Sequence, residues 1–259
     1  MRYMDPDSTA IQKRMRSNHT DKICIIYIME RISIFYDGVN VEKYSSDERI
    51  KGFTTNCSIF GKSGCKTYKE FYEYNKEYIG DRPLSLQIWK DEPAEIIEQI
   101  RDIHAIDSKI HVKIPIVNTS GKYNEIAIRY AVNNSIPVNI TAIHTVEQIN
   151  KTKELLKDSV APEIISVFAG PISDVLIIPD TYITHALDSF KGKANSKVLW
   201  AGCRELYTIK RAEMLGCHII TIPDAMMERL PLLTKSLEEL TLDRVKIFKG
   251  DAEKGGYTT

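Results

Sequence analysis

A single-domain (β/α)8 barrel, the TIM barrel, is the fold class this chain predicts, on three observations. Eight short runs rich in branched and aromatic residues alternate with segments of helical periodicity, the pattern of a parallel sheet covered by helices. The eight units fill about 220 residues, close to the ~250 typical of such barrels. The turn after the first strand, Asp37-Gly38-Val39-Asn40, lacks the glycine-rich phosphate fingerprint that the competing open, doubly wound sheet usually carries.

The strands are expected, in order, at Ile32–Asp37, Gly52–Thr55, Leu84–Trp89, His111–Pro115, Pro137–Thr141, Ile164–Phe168, Lys197–Ala201 and His218–Ile222. After the third strand, Glu92–Ala105 (EPAEIIEQIRDIHA) places Ile96, Ile97, Ile100 and Ile103 at helical spacing. Asn124–Asn133, Val146–Asp158, Thr181–Phe190 and Glu205–Leu215 follow the same rule after strands four to seven. Gly216 stands directly after the last of these as a helix C-cap, with a strand next to it.

The 259 residues are 43% hydrophobic, enough for one substantial core. Thirty-five basic residues balance thirty-five acidic ones, with no long run of one sign between Met29 and Phe248. Neither a nucleic-acid footprint nor a membrane anchor is expected. The five cysteines (Cys24, Cys57, Cys65, Cys203, Cys217) show no Cys-x-x-Cys spacing, which fits a reducing cytoplasm. Triplets such as Asn56-Cys57-Ser58 and Asn139-Ile140-Thr141 then carry no glycosylation. Residues 1–29 read as an N-terminal extension whose apolar run, Ile23–Ile28, is too short to span a membrane. Residues 30–249 read as the barrel and 250–259 as a frayed, polar tail. Between them, Ser236–Lys249 carries Leu237, Leu240, Leu242 and Val245, which either cover their own barrel or meet a second copy in a homo-oligomer.

The stretch Ile110–Val117 (IHVKIPIV) holds a lysine in an apolar strand. Side chains alternate between faces, so Ile110, Val112, Ile114 and Ile116 share one face while His111 and Lys113 share the other. With both faces buried, Lys113 is either a paired charge or a working amine. A lysine of pKa about 10.4 has roughly one molecule in 2,500 as free amine at pH 7, and each tenfold gain in that fraction corresponds to about 1.4 kcal/mol. Burial supplies that bias and makes a nucleophile able to form a Schiff base, an electron sink for making or breaking carbon–carbon bonds. An interior Lys–Asp pair that only fills the barrel is the other reading of the same residue. Active sites of this fold sit at the C-terminal strand ends. There the sequence places Asp37, Asn56, Gln87, Lys113, Asn139 with Thr141, Ser166 with Phe168, and Arg204. Asp37 is either a proton-moving acid/base or a turn residue. Gly61-Lys62-Ser63 lacks the earlier glycine of a phosphate loop. The histidines, including His104, His111, His144, His185 and His218, have no metal-ligand spacing, so no metal is expected. Cys203 has no evident His base to make it a nucleophile.

With Thr54-Thr55-Asn56 after strand two and Val112-Lys113-Ile114-Pro115 in strand four, the chain resembles the transaldolase family, including its short fructose-6-phosphate aldolase branch. The likeness runs from about Ile32 to Pro223. It implies a (β/α)8 barrel that cleaves ketose phosphates through a lysine Schiff base with no cofactor. It assigns Lys113 to the Schiff base and Asp37 to proton transfer, with Asn56, Asn139 and Thr141 holding substrate hydroxyls and the catalytic water. Ser166 matches a substrate-binding serine. Gln87 matches the aldolase branch, whereas Phe168 matches the transaldolases. The phosphate end departs from the family pattern: Pro171 stands where an arginine is usual, and Gly202-Cys203-Arg204 keeps the arginine of Ser-x-Arg but not its serine. Each lost charge-assisted contact costs roughly 1.5–3 kcal/mol of phosphate binding. The expected enzyme transfers or releases a dihydroxyacetone unit, with Gln87 and Thr141 holding the water and Arg204 the distal anionic group of an unusual sugar or sugar phosphate. A catalytically silent sugar-binding barrel is the alternative.

Overall fold

Strands and helices alternate along the computed structural model, which describes residues 31–258. The expected N-terminal extension, residues 1–29, lies outside the described residues. The order begins β1 (Ser33–Asp37), α1 (Val41–Ser45), β2 (Ile50–Thr54), α2 (Cys57–Phe60), α3 (Tyr68–Ile79), β3 (Leu84–Gln87), α4 (Pro93–Ile106) and β4 (His111–Pro115). It continues α5 (Glu125–Asn133), β5 (Val138–Ile143), α6 (Val146–Leu156), β6 (Glu163–Val167), α7 (Ala169–Asp174), α8 (Asp180–Ser189), β7 (Ser196–Trp200), α9 (Tyr207–Met214), β8 (Ile219–Pro223) and α10 (Asp224–Met227). The eight strands close in sequence order, β1 pairing in parallel with both β2 and β8.

Local chemistry explains most boundaries. Thr67 and Thr145 start α3 and α6 with reciprocal capping boxes to Glu70 and Gln148, and Pro93 opens α4, where its missing N–H costs nothing. Beyond α9, Gly216 turns to φ +78°, and the Cys217 N–H bonds the Ala212 carbonyl, closing the helix as expected. Strand β3 stops at Gln87, short of the expected Trp89, because Gln99 Oε1 captures the N–H groups of Trp89 and Lys90 at 2.9 and 3.1 Å. The short helices α2 and α7 have no sequence signal beyond a loop.

Inside the barrel, Phe35, Ile164, Leu199, Ala201 and Ile219 form an apolar layer on which Phe168 rests. Gly52 makes room for it: a Cβ there would stand 2.5 Å from the Phe35 ring.

The compact unit containing the barrel ends at Met227. The described part of the second unit holds a short 3₁₀ turn (Leu230–Thr234) and α11 (Leu237–Gly255), capped by Ser236 with Glu239. Helix α11 continues through Gly250 to a left-handed Gly256, so most of the expected frayed tail is helical. None of its residues is buried, and Leu237, Leu242, Val245, Ile247 and Phe248 are exposed. No helix among the described residues is long and apolar enough to cross a membrane.

Candidate active site

Strand β4 lies between β3 and β5, with Lys113 in register with Gln87 on one side and Asn139 on the other. Alternation turns the side chain inward, and only 5% of the residue is exposed. Its Nζ donates to the Thr55 carbonyl at 3.1 Å. Burial pushes the Lys113 amine well below the usual lysine range, against the opposing influence of Asp37 and Cys57. The interior Lys–Asp ion pair does not form: Asp37 instead accepts from Thr54 Oγ1 at 2.6 Å. Thr54 Oγ1 is 2.7 Å from Thr221 Oγ1 on β8, so the half-buried Asp37 carboxylate ends a chain of two hydroxyls.

A second polar group crosses the barrel beside the lysine. Asn139 Nδ2 donates to Ser85 Oγ at 3.1 Å, and Ser166 Oγ donates to Asn139 Oδ1 at 2.7 Å, fixing the amide orientation. Thr141 Oγ1 is buried without a protein partner. Thr54, Ser85 and Thr221 were not singled out as site residues from sequence, although counting back by two from Gln87 reaches Ser85.

The remaining candidates are placed less centrally. Gln87 Nε2 lies 3.8 Å from Cys57 Sγ, while the Gln87 carbonyl accepts from Tyr68 OH at 2.6 Å. Asn56 spends Oδ1 on capping α2, accepting from the Ile59 N–H at 3.0 Å. Phe168 follows β6 and stacks at a tilt on His144, with ring centroids 5.2 Å apart. Arg204 is exposed and bound to Asp174, with Nη2 2.7 Å from Oδ2. Lys113, Asp37, Asn139, Ser166 and Thr141 are thus joined to the barrel interior by position or bonding, whereas Arg204 is engaged at the rim.

Residues 34–255 match the family described as transaldolase/fructose-6-phosphate aldolase. The chain belongs to this family. Its relatives include a probable transaldolase of Thermoanaerobacter sp. (strain X514), 26% identical over 231 residues, covering 87% of this chain and 99% of that one. Another, a probable transaldolase of Streptococcus equi subsp. equi (strain 4047), is 28% identical over 229 residues, covering 85% and 97%. Among solved structures, the HpcH/HpaI aldolase from Desulfitobacterium hafniense DCB-2 shares the fold, with a TM-score of 0.52 and 12% identity over 85% of this chain and 93% of that one.

In this transaldolase-family enzyme the loops after β6 and β7 approach closely. A Cβ on Gly170 would stand 1.7 Å from the Gly202 carbonyl oxygen, and one on Gly202, at φ +74°, 2.7 Å from Pro171 Cδ. The Gly170 N–H also bonds the Ala201 carbonyl at 3.1 Å. The two loops therefore meet backbone to backbone. Next to them, Cys203 is buried and its thiol is pushed up to about 11, mainly by burial, which suits a structural rather than a nucleophilic cysteine. No cluster of three or more His, Cys, Asp or Glu able to hold a metal occurs among the described residues.

Proposed function

We propose that this enzyme attacks a ketose with Lys113, forms a Schiff base, and transfers or releases a dihydroxyacetone unit. The observation that carries the reading is the buried amine in the middle of β4, held by one carbonyl and free of a carboxylate partner. Such a site favours the uncharged nucleophile.

In this reading the Lys113 amine adds to the ketone carbon, and loss of water gives a protonated imine. Asp37 takes the proton from the substrate hydroxyl as the carbon–carbon bond breaks, and the electron pair of that bond moves into the imine to give an enamine. Thr54 and Thr221 hold the carboxylate in place. The enamine carbon then bonds an aldehyde acceptor in transfer, or takes a proton in release, and hydrolysis of the imine frees Lys113. Asn139, Ser166 and Asn56 hold substrate hydroxyls. Thr141, with its unpartnered Oγ1, and Gln87 hold the water that moves protons with Asp37. Arg204 is the cation kept for the distal group, and its bond to Asp174 means that a phosphate there must displace a carboxylate. That supports an unusual sugar, with or without phosphate. Assembly with further copies belongs to the same reading, supported by the exposed apolar residues of α11. So does a reducing cytoplasm, supported by the free thiols of Cys57, Cys65, Cys203 and Cys217.

The test is borohydride reduction in the presence of free and phosphorylated ketoses, followed by mass mapping. A reduced adduct on Lys113, absent from Lys113→Met, is expected. An adduct that persists in Lys113→Met overturns the mechanism, and ketose binding with neither adduct nor cleavage favours the silent barrel.

A further inference from the structure

The strand that carries Lys113 toward one mouth of the barrel carries His111 toward the other. The two share the inward face of β4, with His111 at the strand's N-terminal end. A cavity of about 630 Å³ opens there, lined by Phe35, Ile164 and Ile219 of the apolar layer. The volume falls in the ~300–1,000 Å³ range of small-molecule sites. We propose that this N-terminal mouth is a second binding site, separate from Lys113, for a phosphate monoester.

Charge argues for an anion. Arg31, Lys51 and Lys197 line the cavity, and none makes an ion pair or side-chain hydrogen bond among the described residues. The one carboxylate in the lining, Glu163, is already neutralised by Lys193 at 2.6 Å and accepts from Ser196 Oγ at 2.5 Å. Three cations with no carboxylate partner among the described residues favour a dianion over a monocarboxylate, because more of their mutual repulsion is relieved.

The imidazoles supply hydrogen bonding. His111 is only 7% exposed, and its Nδ1 is buried without a partner, an arrangement that is costly unless something bonds it. Burial pushes His111 down to about 4, against the opposing influence of the nearby Lys109 backbone, so it is neutral at pH 7 and one of its ring nitrogens is a donor. His218 Nδ1 accepts from the Val198 N–H at 3.0 Å, which places its proton on Nε2 as a second donor. The cavity thus combines long cationic side chains at the rim with short, positioned polar groups deeper in, on an apolar floor.

The test is calorimetric titration of the full chain with glucose 6-phosphate, inorganic phosphate and free glucose, in wild type, in Lys113→Met and in Lys51→Glu/Lys197→Glu. The last pair is exposed, and an unchanged circular dichroism spectrum and melting temperature show that the variant still folds. Saturable binding of the ester is expected in wild type and in Lys113→Met, with weaker binding of inorganic phosphate and none of glucose. The charge reversals are expected to weaken it at least about tenfold, as loss of charge-assisted contacts does. Equal binding in the charge-reversed variant, loss of binding in Lys113→Met, binding of inorganic phosphate alone, or no saturable binding each overturns the proposal. Because no arm requires turnover, failure here leaves the Schiff-base reading untouched.

Discussion

Lys113→Met is expected to remove a pH dependence from the stability of the fold. In the folded chain burial holds Lys113 below the ordinary lysine value, whereas the unfolded chain has it near 10.4. Between those two values the unfolded state binds one more proton than the folded state, so stability rises with pH by about 1.4 kcal/mol per pH unit. Below the lowered value both states are protonated and the full penalty of burying an ammonium remains. Above about 10.4 both are neutral and the penalty is gone. Methionine has a similar length and no charge, so its variant lacks this slope. It also lacks the bond to the Thr55 carbonyl, which costs about 0.5–1.5 kcal/mol. Wild type is therefore expected to be the more stable at the alkaline end and to lose that advantage as pH falls, with the curves crossing within about one pH unit of the alkaline limit. Urea unfolding followed by far-ultraviolet circular dichroism, at steps from pH 7 to pH 10 in both proteins, measures the difference. Taking the difference cancels the buried tyrosines Tyr36 and Tyr68, which burial raises in both. Parallel stability curves would refute the reasoning, because they would mean that the folded site leaves the amine at its ordinary value.

Asp37→Asn is expected to lower kcat by about 10²–10⁴ while the Lys113 adduct still forms under borohydride, the result for a lost acid/base. Loss of the adduct itself would assign Asp37 elsewhere. Gly170→Ala drives a methyl into the Gly202 carbonyl and is expected to cost about 1–3 kcal/mol or more in thermal unfolding. Gly192→Ala, at φ +83° with nothing within 4 Å, bears only backbone strain of about 1 kcal/mol, and a larger loss there than at Gly170 would contradict the close loop contact. Asp174→Ala releases Arg204 from an exposed pair worth up to about 1 kcal/mol, so KM for a phosphorylated ketose is expected to fall up to about fivefold. An unchanged KM, or an equal fall for the free ketose, would remove Arg204 from distal binding.

The barrel was legible because its signals are local. Runs of branched and aromatic residues identified all eight strands, alternation turned Lys113 inward, and helical spacing located α4, α5, α6, α8 and α9. The misses were of other kinds. Trp89 is a good strand residue, but its N–H is claimed by a glutamine ten positions ahead. Helix α11 runs past Gly250 because its propensities continue, whereas composition suggested a frayed end. Asn56 has the right type and position for a substrate contact, yet its carbonyl oxygen also caps a helix too short to have left a pattern.

By itself the sequence determined the order of strands along the chain and the inward parity of Lys113, since these depend on neighbours one or two positions away. Tertiary structure alone decided what those residues touch. The Lys113 amine meets a carbonyl 58 positions away, and Thr54 meets a hydroxyl 167 positions away. The bond between Arg204 and Asp174 and the gathering of Arg31, Lys51, His111 and Lys197 at the opposite mouth arise in the same way. The physical reason is closure: joining β1 to β8 brings residues distant in sequence within hydrogen-bond distance.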